Sequence, residues 1–306
     1  MSTAGPAAPV VAPPLSAPNL AVLLMLLAMF SGAMMDTVTK ILSQTYAVPQ
    51  ILLFRFLAFT AFGLWLARGR PLGSLLMTAG PRFQIARGLV FVVEMFVFVL
   101  AVRSLPLATV HAVIAVSPLL VVLLSVPLLG ERVGIWRMSA ILAGFIGVLI
   151  IIRPGTAAFT PVMFLPLAGA VLWALYSIMT RMGGRAAQIE AMVIYMGLVG
   201  TVCMAVLAPF VWTWPDPEGW TLLALVCLLG TLTHYVLIRA YQYADASSLQ
   251  PFAYSIFVFA VVLGYFFFDH LPDAWTWLGA GIAMAAGLIA WWRERRQIGR
   301  FTAAAG

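Results

Sequence analysis

The sequence predicts an all-α polytopic membrane protein whose ten transmembrane helices form two inverted repeats of five helices. Hydrophobic residues make up 63% of the chain and charged residues only 9%, whereas a soluble domain carries about a quarter charged residues. The ten apolar stretches are each near the roughly 20 residues that a helix needs to cross ~30 Å of hydrocarbon. Their lengths recur when the sequence is shifted by 139 residues, which places Ala101–Trp136 over Ala240–Trp275. These observations exclude a soluble domain of any size.

The expected spans follow one another closely, with a tail at either end. Residues 1–18 are rich in Ala and Pro and carry no charged side chain, so they predict a disordered tail rather than a secretory signal, which needs a basic N-terminal region. We expect a first repeat over 19–153, a second over 162–294 and a cytoplasmic tail over 295–306. The spans are expected at 20–42, 49–67, 83–104, 106–129, 134–152, 162–181, 190–211, 219–240, 246–268 and 274–292.

Arginine and lysine residues orient the spans, because cytoplasmic loops carry an excess of both. With the N-terminus in the cytoplasm, most arginines fall at inner span ends, and only Lys40, Arg103 and Arg153 fall at outer ends. The loop Trp212–Trp220, which carries acidic residues and no basic one, then lies outside. This bias predicts a multi-pass protein of the inner (plasma) membrane with both termini in the cytoplasm.

Two features mark the interior of the third and fourth spans. Glu94 lies near the middle of the third span, where a carboxylate costs a few kcal/mol unless it is paired, protonated or hydrated. Pro118, directly after Ser117, interrupts the fourth span; it frees a backbone carbonyl and bends the helix. A comparable pattern recurs in the second half of the chain, and this recurrence favours a transporter.

Each half contains an odd number of spans, so the second half is expected to enter the membrane from the opposite side. Many secondary transporters have this arrangement, with the substrate site near the midplane between the halves. The shift of 139 residues carries Glu94 to Thr233, next to His234, and His111 to Gln250. Polar residues therefore recur at related positions, as expected for a cavity that both halves line.

Short motifs within residues 20–296 resemble the drug/metabolite transporter superfamily, in particular its ten-span EamA-type transporters. In the first half they are Arg87-Gly88, Ser104–Ala108, Ser117-Pro118, Leu129–Arg132, Ala143–Gly147 and Ile152–Gly155. In the second half they are Trp173–Tyr176 with Arg181, Ala240–Ala244, Gln250–Tyr254, and Gly264–Asp273. The sequence around Pro251–Tyr254 is most similar to the branch that holds riboflavin and S-adenosylmethionine uptake proteins. The resemblance implies a transporter that lies in the lipid bilayer and handles a small molecule.

Glu94 is the leading candidate for the functional site. Counted at about 1.5 Å per residue, it lies ~13 Å below the outer end of its span, and Arg55 lies ~9 Å below the outer end of its own. His111 has a similar depth, so the three side chains are expected to meet in one cavity. We expect Glu94 to handle substrate or a proton, because ionisable groups inside a membrane mark functional sites. The alternative is a Glu94–Arg55 ion pair that only holds two helices together.

Residues of the second half complete the candidate substrate site. Trp173, Tyr176 and Tyr254 are expected at mid-depth, where their rings can stack on a flat substrate. His234 and Gln250 supply polar groups from the same half. Core packing is the alternative for each ring, and a hydrogen bond between helices is the alternative for His234.

Two further sets of residues have local explanations. Asp36 and Lys40, four residues apart near the outer end of the first span, predict an i, i+4 ion pair. Small residues four apart in the last span of each half are Ala143 with Gly147 and Ala283 with Gly287. Such pairs allow close contact between helices, which favours packing within the protein and leaves a homodimer as the alternative.

Several function classes lack their sequence signatures. Lys40 is the only lysine and follows Thr39, so the chain has no Gly-Lys-Ser/Thr phosphate loop. It contains neither His-Glu-x-x-His nor Gly-x-Ser-x-Gly, which argues against a metalloprotease or a serine hydrolase of those kinds. The net charge of +7 arises at span ends and forms no basic patch with exposed aromatic residues, so no nucleic-acid partner is expected. We predict no cofactor and no metal site.

The leading hypothesis is a secondary transporter that moves a small polar or aromatic metabolite across the inner membrane by alternating access, with Glu94 as the proton-coupling group. Riboflavin or S-adenosylmethionine uptake, and efflux of a metabolite, amino acid or drug, are more specific alternatives. The rival from another class is an intramembrane enzyme acting on a lipid-linked substrate. An enzyme of that kind needs clustered carboxylates or histidines at a membrane surface, so we expect no enzymatic activity.

Overall fold

The computed structural model describes residues 18–78, 80–130, 134–157, 159–183, 189–244 and 246–304. Within these ranges the chain forms helices and the turns between them, and no strand. Short 3-10 turns at Pro161–Met163 and Ala208–Val211 extend two of the helices. The α-helices are α1 (Pro18–Thr45), α2 (Val48–Leu66), α3 (Leu72–Thr78), α4 (Pro81–Ser104), α5 (Leu107–Ile114), α6 (Ser117–Leu129), α7 (Ile135–Ile152), α8 (Phe164–Gly183), α9 (Ile189–Leu207), α10 (Pro217–Tyr243), α11 (Ala246–Ala253), α12 (Ser255–Phe268) and α13 (Ala274–Ala304).

Ten helical segments of the described chain are long and apolar enough to cross a membrane. They confirm the predicted all-α polytopic fold, and their bounds differ from the expected spans by a few residues. The short helix α3, between the second and third spans, was not predicted. Helix α13 continues to Ala304, so the tail expected over 295–306 begins as helix. The disordered tail predicted over 1–18 lies outside the described residues except for its last position.

Two of the spans are broken, and the breaks lie at related positions. The fourth span is divided into α5 and α6 at Ala115 and Val116, directly before the predicted bend at Ser117-Pro118. Because Pro118 cannot donate a backbone hydrogen bond, Ile114 loses its helical partner, and the Ser117 hydroxyl donates to that carbonyl at 2.6 Å. The ninth span is divided into α11 and α12 at Tyr254, onto which the shift of 139 residues carries Ala115.

The helices of the two halves interleave instead of forming separate bundles. Helix α1 packs along α10, and α8 packs along α4; α2 pairs with α9, and α7 pairs with α13. In order along each half, these are pairings of first with third, second with second, and fifth with fifth spans. A two-fold axis that exchanges the halves predicts this pattern. The inversion of the second half stays a prediction that the pairings support.

Glycines allow α2 and α9 to approach closely. A Cβ added at Gly197 would lie 2.6 Å from both the backbone nitrogen and the hydroxyl of Thr60, and one at Gly200 would lie 2.3 Å from the ring of Phe56. The nearer atoms at Gly197 include backbone, which cannot rotate away as a side chain does. This crossing holds the segment of α2 that carries Arg55.

A second glycine crossing joins α7 and α13. A Cβ at Gly147 would lie 2.6 Å from the Gly279 carbonyl oxygen, and one at Gly279 would lie 2.4 Å from the Gly147 carbonyl oxygen. Ala283 also packs at this point. The small size of Gly147 and Ala283 therefore serves close packing within the protein. Gly287 instead accommodates the hydroxyl of Tyr254.

Polar contacts tie the loop 212–216 to the start of α2. The side-chain amide of Gln50 donates to the Thr213 carbonyl at 2.7 Å and accepts from the Thr213 amide at 3.1 Å. Asp216 caps α10 by accepting from the Gly219 amide at 2.7 Å, and the Tyr46 hydroxyl donates to the same oxygen at 3.0 Å. These two donors hold the pKa of the Asp216 carboxyl below its usual value.

Candidate functional site

Four ionisable side chains are buried together inside the helix bundle. Asp36 lies on α1, Arg55 on α2, Glu94 on α4 and His111 on α5, and each is at most 5% exposed. His111 Nε2 lies 3.2 Å from Asp36 Oδ2. Arg55 lies near the carboxyl groups of both Asp36 and Glu94. We refer to these four residues as the charged cluster.

Asp36 does not form the predicted ion pair with Lys40; that expectation was wrong. The Lys40 ammonium instead donates to the carbonyl oxygens of Val102, at 2.6 Å, and Leu105, at 2.7 Å. These carbonyls belong to the end of α4, where a helix leaves its last acceptors unsatisfied and favours a cation. The i, i+4 preference is worth only about 0.2–0.5 kcal/mol, so tertiary partners override it.

Glu94 and Arg55 lie close to each other without direct pairing. Among the described residues, the ion pairs with nitrogen and oxygen within 4.0 Å do not include these two. Arg55 Nη2 contacts the Met35 sulfur at 3.3 Å, and a thioether is a weak acceptor. The simple structural ion pair considered from the sequence is therefore not formed in this conformation.

The charged cluster contains five buried polar atoms without a hydrogen-bond partner. They are Asp36 Oδ1, Arg55 Nε, Arg55 Nη1, Glu94 Oε2 and His111 Nε2. The approach of His111 to Asp36 is thus a close electrostatic contact and lacks the geometry of a hydrogen bond. Buried polar groups in native proteins are nearly always satisfied, and an exception calls for a ligand, an ion or a water. A polar ligand, an ion or a buried water would satisfy these five atoms.

Helix α10 brings residues of the second half to the same region. His234 Nδ1 lies 2.9 Å from the Gly230 carbonyl oxygen, and its ring meets the edge of Phe59 at 4.7 Å between centroids. Thr233, to which the shift carries Glu94, exchanges a hydrogen bond of 2.9 Å with Ser31 on α1. A small recess between α2 and α10 is lined by Arg55, Phe59, Val226, Cys227, Gly230 and Thr231. His234 lies one turn after Gly230, on the side of α10 that lines this recess together with Arg55 of α2.

Arg87 is a second buried cation, and its role was missed from the sequence. It is 1% exposed and donates from Nε to Gln84 at 2.9 Å, from Nη1 to Tyr176 at 3.1 Å and Thr180 at 3.3 Å, and from Nη2 to the Met192 carbonyl at 2.8 Å. All these acceptors are neutral, and among the described residues no carboxylate pairs with it. Arg87 joins α4 to α8 and α9.

One face of α4 connects Arg87 to the charged cluster. Arg87, Phe91 and Glu94 follow the i, i+4, i+7 spacing of a single helix face, so the two ends are about 10 Å apart along the axis. The Phe91 ring packs against Tyr176 with centroids 4.8 Å apart. This spacing was the sequence signal that could have identified Arg87, which we had considered only as part of the motif Arg87-Gly88 and of the arginine bias.

Trp173 and Tyr176 lie on one face of α8 and differ in burial. Tyr176 is half-buried between Arg87 and Phe91, whereas Trp173 is 41% exposed and meets Tyr176 at 5.7 Å between centroids. The opposite face of α8 carries only apolar side chains at its exposed positions: Phe164, Ala168, Val171 and Met182. That face suits lipid, and the aromatic and polar face with Trp173 suits a cavity.

Gln250 and Tyr254 lie apart from the charged cluster. Gln250 is exposed on α11, and Tyr254 lies in the break between α11 and α12 with its hydroxyl against Gly287 of α13. None of these three helices contributes a residue to the cluster. Their substrate contacts stay predictions, as do those of the other proposed site residues.

The fold and the site together define a class of protein. Ten membrane-spanning helices, two of them broken, enclose ionisable side chains with unsatisfied atoms, which is the construction of a small-molecule transporter. Within the described residues, no group of three or more His, Cys, Asp or Glu side chains is placed to hold a metal ion. The chain belongs to the EamA-like transporter family, whose model matches it twice, over residues 19–153 and 160–292. It is a transporter and not an enzyme.

Curated relatives from three bacteria align along nearly the whole chain. A riboflavin transporter of Rhizobium johnstonii is 30% identical over 284 residues, covering 89% of this chain and 91% of that protein. An S-adenosylmethionine uptake transporter of Rickettsia felis is 26% identical over 277 residues, with 90% and 93% coverage. The pseudopaline exporter CntI of Pseudomonas aeruginosa is 27% identical over 280 residues, with 90% and 96% coverage.

The fold also occurs among solved structures. One crystal structure of a protein superposes with a TM-score of 0.57 at 21% sequence identity and covers 92% of this chain and 99% of the other. This similarity shows that the two chains share a fold.

Proposed function

We propose that this protein is a secondary transporter that moves a small polar or aromatic metabolite across the inner membrane by alternating access. The observation that carries the proposal is the charged cluster, whose five polar atoms are buried without partners. Leaving such atoms unsatisfied costs about 1–3 kcal/mol each, more for charged groups, and a transported ligand offsets that cost. The cluster is therefore stabilised when a ligand binds, and that stabilisation is lost again when the ligand is released.

Glu94, Arg55 and His111 form the centre of the proposed substrate site. His234 reaches it from the second half, and Trp173 and Tyr176 line an aromatic approach along α8 and α4. Gln250 and Tyr254 complete the second half at the broken ninth span, where a rearrangement of α11 against α12 would bring them to the substrate. Glu94 is the proposed proton-coupling group.

The direct test is transport by the full chain in proteoliposomes loaded for either direction. A panel should contain riboflavin, S-adenosylmethionine, amino acids and amino-acid conjugates, because the relatives include both uptake transporters and an exporter. We expect saturable transport of at least one compound that stops when the membrane gradient is removed or when excess unlabelled compound competes. The proposal fails if no panel compound moves faster than through protein-free liposomes while the chain remains folded.

Trp173→Ala is expected to weaken substrate binding by about 1–3 kcal/mol, the range found for stacking on an aromatic side chain. Expression and thermal stability should be unchanged, because the ring is 41% exposed and its removal opens no enclosed cavity. Binding is measured by isothermal titration with the transported compound. Trp214→Ala is the matched control, since that tryptophan is 79% exposed on the loop 212–216. Unchanged affinity in Trp173→Ala would place this residue outside the site.

Reporter fusions are expected to place both termini in the cytoplasm and the loop Trp212–Trp220 outside. The reason is the excess of arginine at one set of span ends. Phosphatase and fluorescent-protein fusions at the C-terminus and within the loop give opposite signals if this is right. Two inverted halves of five spans place both termini on the same side of the membrane. With the N-terminus in the cytoplasm, a C-terminus on the external side would therefore contradict both the orientation and the inverted repeat.

A further inference from the structure

The charged cluster contains unsatisfied polar atoms on groups of both signs, all of them buried. Arg55 presents two donors without a partner, Nε and Nη1, while its Nη2 donates to the Met35 sulfur at 3.3 Å. Asp36 and Glu94 each present a free acceptor, Oδ1 and Oε2. Opposite charges that lie this close usually pair and satisfy each other. Here the donors and the acceptors are kept apart.

A ligand with one kind of charge cannot complete such a site. A carboxylate placed on Arg55 satisfies the donors and leaves both acceptors buried without hydrogen, next to an added negative charge. An amine placed between Asp36 and Glu94 satisfies the acceptors and leaves the Arg55 guanidinium without an oxygen partner. A head group that carries a carboxylate and an amine satisfies both sets with charge-assisted hydrogen bonds on each side, which are roughly twice as strong as the bonds that a neutral group with donors and acceptors would form.

The number of carboxylates in the cluster also affects which net charge is preferred among ligands that carry a carboxylate and an amine. Two carboxylates face one guanidinium, and His111 beside Asp36 is the remaining ionisable group of the cluster. When Asp36 and Glu94 are both ionised, the excess of negative charge favours the ammonium end of a ligand and opposes a ligand that is anionic overall.

We propose that the charged cluster recognises a zwitterionic head group, with its carboxylate on Arg55 and its amine on Asp36 and Glu94. The proposal rests on the transport function proposed above and names the class of its substrate. The aromatic face of Trp173 and Tyr176 then contacts the rest of the molecule. A neutral flat compound without a carboxylate and an amine is disfavoured as substrate.

Two trios of probes test the proposal on the full chain in detergent or nanodiscs. The first is L-tryptophan, tryptamine and indole-3-propionate; the second is L-methionine, 3-(methylthio)propylamine and 4-(methylthio)butanoate. Each trio keeps the side chain and removes one charged group at a time. We expect the zwitterion of at least one trio to bind at least tenfold more tightly than both of its single-charge analogues, measured by isothermal titration. If neither zwitterion exceeds its analogues, whether through equal binding or through none, the proposal is overturned.

Variants assign the two ends of the ligand. Arg55→Gln should lower affinity for the zwitterion at least tenfold and leave the amine analogue unchanged, whereas Asp36→Asn should lower zwitterion affinity and leave the acid analogue unchanged. Glu218→Gln, an exposed acidic residue at the start of α10, is the control and should bind like the unmodified chain. Equal losses for zwitterion and analogue in both variants would overturn the assignment. The trio result on the unmodified chain decides the class even if a variant fails to fold.

The transport assay separates this proposal from the one on which it rests. Saturable transport of a neutral compound, without preference among the trios, would retain the transporter and refute the zwitterion site. Preference for the zwitterions in binding, with no transport of any panel compound, would retain the site and refute the transport function.

Discussion

Glu94→Gln is expected to abolish substrate accumulation driven by a pH gradient and to retain exchange of substrate across the membrane at substrate concentrations high enough to offset the lost contact with the amine. Glutamine keeps the shape and the hydrogen-bonding capacity of the side chain but can neither take up nor release a proton. A carboxylate that is 3% exposed, in a cavity that opens alternately to each side, can carry a proton in one direction of the cycle. Exchange needs only binding and movement, so it should survive the loss of coupling.

Proteoliposomes with an imposed pH gradient measure the first property, and counterflow without a gradient measures the second. The matched control is Glu218→Gln, the same change at an exposed position. Normal accumulation in Glu94→Gln under the gradient would contradict the coupling role and leave Glu94 as a recognition residue. Loss of both accumulation and counterflow would point to a failure of binding or folding, which thermal unfolding of the purified variant distinguishes.

Gly197→Ala is expected to destabilise the protein by about 3 kcal/mol, at the upper end of the usual cost of overpacking. The added methyl group would lie 2.6 Å from the backbone nitrogen of Thr60, so α2 must move away from α9. Arg55 lies on α2 little more than one turn from Thr60, and its displacement should reduce transport as well. Thermal unfolding in detergent and uptake in proteoliposomes measure the two effects.

Gly281→Ala is the control for this change. A Cβ at Gly281 meets nothing within 4 Å, and alanine is the better helix former by about 1 kcal/mol, so its stability should be equal or higher. If Gly197→Ala unfolds at the same temperature as the unmodified chain, the close crossing of α2 and α9 is not a constraint on the fold.

The spans were predictable because they depend on local chemistry. Apolar runs of the right length, begun by residues such as Pro81 and Pro217 or ended by Gly130, mark helices of a polytopic protein with little ambiguity. Helix α3 was missed because seven residues are too few for a span and carry no periodic signal. The extent of α13 beyond the membrane was missed because its charged final turns resemble a tail.

The depth of the site residues within their spans was predictable from the sequence, whereas the direction in which each side chain points was not. Counting residues from span ends placed Glu94, Arg55 and His111 at one level, and the structure has them near one another. Asp36 was assigned to Lys40 because a helix that is apolar on all sides gives no indication of which face meets which neighbour. The direction in which each side chain points depends on how α1 is turned about its axis, and that is decided by packing against α4, α10 and α12.

The crossing of α7 and α13 limits how the molecule can move. With the carbonyl of each glycine directly against the other helix, neither helix can slide or rotate past its partner without first separating from it. Any cycle that opens the interior to one side and then to the other must carry these two helices as a single body. The hinges have to lie elsewhere, and the breaks at Ala115-Val116 and Tyr254 are where two of the spans are already interrupted. The pair would therefore act as the stationary frame against which the remaining helices tilt.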